Sequence, residues 1–501
     1  MDHTGDRKLA TAIRISAQLF GVTLLTFLVF YNSVLFRHPT ILVLVPLLPL
    51  ILVFIVAPAA KTAWRESTLL CAGLTWWQGL WLLVFLSGLV MRIRVVQDID
   101  QSPVDAWAMY RSGLVLTVGL ILCARLVSDR TRWLGVLSSG ILGILAVYPL
   151  LTLVSTVWSV RPSWTFYKSI EYLVELATIA AVVASVPSVR EYRKFANLTW
   201  TLLGLLAASA WVGAILDPAD GLSTGQNLGP LTLRLEGVMP SVDADTIGEI
   251  CAILALVAVH RMLNDLQGRR NRGWYATLLA ASLVTLVFSQ TRAAMAALVI
   301  GLVLLLLLSR RVALAVGLGG ITAVGAAIAL TFTNFGQTFS AFLLRGQSNQ
   351  EVQGISGRMD VWQASFDAFL RRPLTGYGGF AGSRFVVLPA YSWQANASSA
   401  LSTYVDSLLD LGVVGPLLLV VVLVGVAWFL FRATRGYHVR PSDSPLAVEM
   451  MIVLSVVVMR SFVTSNIVSN TSLAFLTVIG FVEVARREEV IVRRGEASCA
   501  A

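Results

Sequence analysis

Long apolar runs recur along almost the whole chain and leave few options for how it can fold. A helix needs about 20 consecutive apolar residues to cross a bilayer. Runs of about that length, bounded by charge or turn residues, fall at about 15–35, 40–58, 68–91, 112–128, 133–154, 168–187 and 196–216. The series continues at about 246–262, 274–290, 292–308, 312–333, 412–431, 446–464 and 471–485. Little more than Gln290-Thr291-Arg292 separates 274–290 from 292–308, but each is long enough to cross and is counted by itself. Composition agrees: 56% of the 501 residues are apolar and 13% are charged, about half the charged share of a soluble domain. A soluble enzyme is excluded, as is a single-anchor protein with a large domain. The expected fold is an all-α polytopic membrane protein with about fourteen transmembrane helices.

Basic residues orient those helices. With the N-terminus inside, about 24 of the 38 Lys and Arg residues fall on inner segments, and every inner connection carries at least two. The positive-inside rule therefore predicts fourteen spans with both termini cytoplasmic. It also accounts for the net charge of +10 without nucleic acid as a partner. All but four of the basic residues are Arg, a bias that a high genomic GC content also produces. Cys71, Cys123, Cys251 and Cys499 match no metal spacing and suggest no disulfide framework. The first apolar run follows MDHTGDRK without a small-residue cleavage site, and reads as a retained helix.

This topology divides the chain into transmembrane helices 1–11 over 1–333, a large external loop over 334–411, helices 12–14 over 412–485, and a cytoplasmic tail over 486–501 whose last dozen residues are polar and frayed. The loop is too long for a connector and is expected to be functional, with short helices of its own. It carries Arg345, Arg358, Arg371, Arg372 and Arg384 against few acids, and the aromatics Trp362, Tyr377, Phe380, Tyr391 and Trp393. Two further outer segments, 92–111 and the Gly/Pro-rich 217–245, are sizeable.

The outer arginines are the first candidates for chemistry. Arg234 and Arg292 sit at outer helix ends, and Arg358 opens the helix-like run SGRMDVWQASFDAFL, which Ser356 and Gly357 could cap. Guanidinium forks onto phosphate, and a helix N-terminus favours anions, so these groups describe a pyrophosphate site. Contact with anionic lipid headgroups or simple ion pairing is the plainer reading. Asp243-Ala-Asp245 precedes a helix that continues through Glu249, and three roles are open to it: a metal site, a general base, or an N-cap. Asp406 lies in STYVDSLLDLG at the loop exit, and Asp360 balances Arg358. Lys168 and Glu171 make a local ion pair, whereas Glu175 lies deeper in its apolar helix. Intramembrane carboxylates of that kind often relay protons, which is the argument for a transporter. His38 is the one histidine assigned to the outer face, so an outer histidine base is poorly supported, and no Walker, Rossmann or zinc motif is present.

Four stretches together resemble the O-antigen ligase/polymerase superfamily of bacterial membrane glycan transferases. They are RLEGVMPSVDADTIGE (234–249), SQTRAAMAALVIGLVLLLLLSRR (289–311), SGRMDVWQASFDAFLRRPLTGYGGF (356–380) and TYVDSLLDLGVVG (403–415). Each is weak alone; their order, and the long loop between them, give the resemblance its weight. It implies a GT-C-like enzyme of the bacterial inner membrane. Such an enzyme takes a glycan from a polyprenyl-diphosphate carrier at the outer face and moves it to an acceptor, without a cofactor or metal. The family's functional arginines carry over onto Arg292 and Arg358, and Arg234 matches a third recurrent position. Trp362 and Tyr377 offer flat faces to sugars, although packing the loop is the commoner use of both.

In register, the family's His-Asn pair falls on Leu401 and Ser402, and the Asn of its earlier turn on Asp245. A carboxylate is therefore expected to replace the histidine on the acceptor side, Asp245 first and Asp406 second. The absence of the pair favours a polymerase (Wzy-like) over a ligase. A transporter or flippase of lipid-linked glycan is the alternative from another class.

Overall fold

The computed structural model describes residues 75–89, 106–128, 132–224, 233–238, 240–264, 272–309, 358–391, 399–468 and 471–500. The expected spans at 15–35, 40–58 and 312–333 lie outside the described residues, as do Ser356, Gly357, Arg345 and Trp393. Described helices are α1 (Trp76–Gly88), α2 (Ala106–Ser128), α3 (Arg132–Leu137), α4 (Gly140–Val154), α5 (Pro162–Ser185), α6 (Val189–Leu216) and the short α7 (Pro218–Gly221). After them come α8 (Ala244–Asn264), α9 (Arg272–Ser289), α10 (Arg292–Leu308), α11 (Arg358–Arg371), α12 (Thr403–Leu411), α13 (Val414–Thr434), α14 (Ser444–Ser461) and α15 (Leu473–Ala500).

Seven of these helices are long and apolar enough to cross a membrane. With the family match described below, they mark a membrane protein. Among the described residues, seven of the fourteen expected spans meet this measure. Charge removes two others: α5 carries Lys168, Glu171 and Glu175, and α15 is strongly charged over its second half. α10 is apolar after Arg292 but has only 17 residues.

Burial sorts the bundle into centre and periphery. Within the apolar window of α8, 78% of residues are buried, and in α14 67%, against 17% in α2 and 33% in α13. α8 and α14 therefore form the centre, with α9, α10 and α6 packed on them. The Leu and Val side chains left exposed on α2, α4 and α13 face outward, where lipid rather than protein completes their packing.

Basic groups gather at the end opposite the site described below. There Arg193 approaches Asp443 (4.0 Å), Arg440 pairs with Glu488 (3.2 Å), and His438 bonds Glu489 (2.6 Å). α15 runs on to Ala500, so the segment expected to be a frayed tail is helical. The physical reason lies in its polar groups: Glu488 accepts from the Val189 N–H, and Arg487 donates to the Val183 carbonyl. The all-α expectation also gains two small antiparallel ribbons in the 217–245 segment. β1 (Leu222–Thr224) pairs with β2 (Leu233–Leu235), and β3 (Gly237–Val238) with β4 (Ser241–Val242).

At the site end, residues 358–391 and 399–411 fold over the helices around their own small core of Val361, Ala368, Tyr377, Val387, Leu388, Ala400 and Leu409. The segment Gly376–Gly382 threads between α12 and the ends of α4 and α5. Tyr377 N–H donates to the Leu409 carbonyl (2.8 Å), and Thr165 Oγ1 donates to the Gly379 carbonyl (2.8 Å). Gly378 has φ of +97° and abuts Ser159, so a side chain there meets both a forbidden backbone region and a collision. G378A is expected to lower the melting temperature of the purified protein sharply, at a cost of about 2–3 kcal/mol. G436A, at φ +84° with open space around it, should cost only about 1 kcal/mol; thermal unfolding in detergent compares the two.

Candidate functional site

Asp243 and Asp245 divide the roles left open by their spacing. Asp243 caps α8, its Oδ1 accepting from Thr246 N–H at 3.1 Å while its carbonyl accepts from Ile247 N–H. Asp245, one residue into the helix, turns its carboxylate towards arginines. Arg234, held on β2 opposite Ser223, donates to Asp245 Oδ1 at 3.2 Å and to the Ser289 carbonyl at 3.1 Å. Arg358 Nη2 lies 3.7 Å from Asp245 Oδ2.

α9 and α10 are broken at Gln290, whose φ of +52° is a strained, left-handed conformation. Its side-chain amide donates to the Leu233 carbonyl (2.9 Å), which fastens the break to β2. Thr291 Oγ1 reaches the Ala244 carbonyl (3.0 Å) and Asp245 Oδ1 (3.2 Å), so the first turn of α10 sits against the first turn of α8. Arg292 opens α10, half-buried and within electrostatic reach of both Asp245 and Arg234. The N-termini of α8, α10 and α11 thus converge on one place, each adding a partial positive charge.

A fourth arginine was not foreseen. Arg460, fully buried in the last turn of α14, donates to the Asp245 carbonyl oxygen (3.1 Å) and lies 3.6 Å from Glu249. Glu249 also accepts from Asn466 Nδ2 at 3.1 Å. The turn after α14 joins this layer to the loop: Arg358 Nη1 donates to the Val463 carbonyl (3.1 Å), and the N–H and Oγ1 of Thr403 both donate to the Thr464 carbonyl. A lone arginine in the apolar run 446–464 was the available signal, since such a charge requires a partner.

Four guanidinium groups thus face Asp245 and Glu249, with Asp243 close enough to act on Glu249, and positive charge remains in excess. Burial pulls the Arg358 guanidinium below its ordinary value; Asp245 pulls it back up, and Arg460, Arg292 and Arg234 push it down again. The arrangement can accept an anion, with bidentate geometry from the guanidinium forks. Asp245 is the only carboxylate among the four sequence-predicted catalytic residues that the structure brings to these arginines.

Asp406 is placed elsewhere. It is buried under the loop, accepting from Ser383 Oγ and from the Ala400 N–H, and burial raises its carboxyl above the ordinary range. Asp410, one turn on, is equally buried and accepts from the Gly382 N–H (3.3 Å). Burial pushes its carboxyl well above the ordinary range, with the neighbouring Asp406 as the second cause. Trp362 and Tyr377 pack the loop: the indole donates to the Ala400 carbonyl (2.9 Å) and the Tyr377 hydroxyl to the Ala368 carbonyl (2.9 Å). Leu401 has a left-handed φ of +56° two residues before Thr403. Lys168 does pair with Glu171 (2.7 Å), and Arg111 joins from α2 as a second cation.

Residues 277–420 match the O-antigen ligase family, Wzy_C. The matched stretch includes Arg292, Arg358 and the whole described part of the loop, while Arg234, Asp245 and Arg460 precede or follow it. It supports the O-antigen ligase/polymerase superfamily that the four motifs resemble, and glycan transfer of that type at a membrane. No curated protein matches the chain.

Two outcomes test this arrangement. R460M leaves Glu249 buried without its cation and should cost about 3–5 kcal/mol. Most of that should return in R460M/E249Q, as read by unfolding of the three variants in detergent. For Asp410, the raised carboxyl means that the folded chain holds its proton more tightly than the unfolded one. Stability is then present below the ordinary value of about 4 and is lost as pH rises through the raised one. D410N keeps the acceptor oxygen and removes the titration, so its melting temperature should fall less than wild type between mildly acidic and alkaline pH.

Proposed function

We propose that the protein moves a glycan from a polyprenyl-diphosphate carrier to an acceptor sugar at the outer face of the bacterial inner membrane, as a polysaccharide polymerase of the O-antigen type. Both termini then lie in the cytoplasm, within a GT-C-like bundle of about fourteen spans. The observation that carries this reading is the arginine cluster around Asp245, with its excess of positive charge at three helix N-termini. A lipid diphosphate has the charge and the forked oxygens that such a cluster accepts.

In the reaction, an acceptor hydroxyl attacks the anomeric carbon of the donor. The new glycosidic C–O bond forms as the bond to the diphosphate breaks, with inversion at that carbon. Negative charge develops on the departing diphosphate, and Arg292 and Arg358 stabilise it, with Arg234 beside them. The hydroxyl proton passes to the Asp245 carboxylate, which is freed from Arg358 as the diphosphate takes its place. Asp406 supports the loop from beneath, one carboxyl oxygen accepting from Ser383 Oγ and the Ala400 N–H.

Absence of a histidine at Leu401 favours the polymerase over the ligase reading. The transporter reading loses ground because Glu171 is held between Arg111 and Lys168, leaving only Glu175 of the pair without a cation bonded to it.

Purified protein given a polyprenyl-diphosphate oligosaccharide in detergent should yield a product ladder. R292A and R358A should each lower turnover by about a hundredfold or more. Lysine at either position should rescue poorly, because it loses the fork. D245N should slow transfer, whereas D406N should chiefly lower stability; normal turnover in both would remove the carboxylate from the mechanism. Vectorial movement of the lipid in vesicles, with no covalent product, would establish the transporter instead.

A further inference from the structure

Arg358 opens the 14-residue helix α11 and Arg371 closes it. At a rise of 1.5 Å per residue, the two ends are about 20 Å apart. Beyond Arg371 the chain turns through Arg372-Pro373-Leu374-Thr375, and this turn is pinned to two outward-facing helices. Val413 N–H, just before α13, donates to the Pro373 carbonyl (2.9 Å), and the Trp158 indole, just after α4, donates to the Thr375 carbonyl (3.0 Å). Together they shape an open cleft of about 430 Å³ lined by Trp158, Arg371, Arg372, Pro373, Leu374 and Thr375.

The cleft joins charge to apolar surface. Arg371 and Arg372 are both exposed, and among the described residues neither forms an ion pair, although Asp367 stands one turn before Arg371. The Arg372 guanidinium lies over the Tyr377 ring at 4.9 Å, which holds it in place. Beside the arginines, Val157, Val413 and Leu417 are exposed at the ends of α4 and α13, and Leu374 in the turn is 74% exposed. Tryptophan and arginine above an apolar flank are what a site at the level of lipid headgroups presents.

We propose that this cleft holds the diphosphate head of a second isoprenoid-linked glycan, the acceptor, while the cluster around Asp245 holds the donor. The inference rests on the glycan-transfer reading above and sharpens it. Two adjacent guanidiniums without a carboxylate partner match a group with two negative charges better than a phospholipid phosphodiester with one. The isoprenoid then lies along α4 and α13, and the glycan extends over α11. That helix sets the distance between the two diphosphates, so the far sugar of a short acceptor oligosaccharide meets the donor's anomeric carbon. A polymerase whose two substrates both remain on lipid carriers needs two such sites; transfer to an unrelated acceptor needs one.

Native mass spectrometry of the full-length protein in detergent, titrated with polyprenyl diphosphate and with phosphatidylglycerol as competitor, counts the sites. Wild type should bind two copies. R371A/R372A and R358A should each bind one, and the triple variant none, with phosphatidylglycerol in equal amount displacing neither copy. Because Arg371 and Arg372 are exposed, their variant should keep the wild-type melting temperature, and R371K/R372K should retain weakened binding. A single wild-type copy that R358A removes and R371A/R372A does not would overturn the second site and leave the first standing. Displacement of the second copy by phosphatidylglycerol would overturn it as ordinary headgroup contact. No bound copy in wild type would overturn both sites.

Discussion

Guanidinium groups brought together repel one another, and the repulsion grows as water is removed. Asp245 is what lets Arg234, Arg292, Arg358 and Arg460 share one end of the bundle, its carboxylate and carbonyl binding three of them directly. Each of those arginines arrives on a different element: β2, the start of α10, the start of α11 and the end of α14. The carboxylate therefore fixes the relative positions of a ribbon and three helices as well as their charge. Since it neutralises only part of that charge, the cluster remains a place where an anion lowers the energy. Binding energy of this kind is spent on the charge that develops as a diphosphate leaves.

The loop is held to the cluster by a second set of contacts, made by the backbone. The turn after α14 takes Arg358 on Val463 and Thr403 on Thr464, while Asn466 reaches back to Glu249. Tyr172 on α5 donates to the Ile467 carbonyl, so the same turn also touches the opposite side of the bundle. Gly376 and Gly378 allow the loop to pass close over α12 and Ser159, and Asp406 and Asp410 fix the far side of that passage. A rigid loop matters here because Arg358 is useful only when it stays within reach of Asp245.

Much of the fold could be read from the period and length of apolar runs, because lipid tolerates so few alternatives. The runs around 246–262, 412–431 and 446–464 correspond closely to α8, α13 and α14. The outer-face topology groups Arg234, Arg292 and Arg358, although Arg234 and Arg358 are 124 residues apart in a chain that shows no periodicity linking them. Placing Asp245 with them was legible only through the motifs. Arg460 escaped because its partners, Glu249 and the Asp245 carbonyl, are more than 200 residues away and pairing over that separation leaves no local trace. Asp406 looked like a site residue because an acid in an amphipathic stretch is normally solvated; the loop's own core, invisible to a local pattern, buries it. The polar end of α15 misled in the opposite direction, since its charges dock on other helices.

The central claim is that the cluster around Asp245 receives the donor's diphosphate. An experimental structure of the protein bound to a non-transferable polyprenyl-diphosphate glycan tests it most directly. The account predicts the diphosphate between Arg292 and Arg358, with Arg234 in contact and the Asp245 carboxylate parted from Arg358. A diphosphate bound away from these arginines, with the Asp245 contacts unchanged, would contradict it.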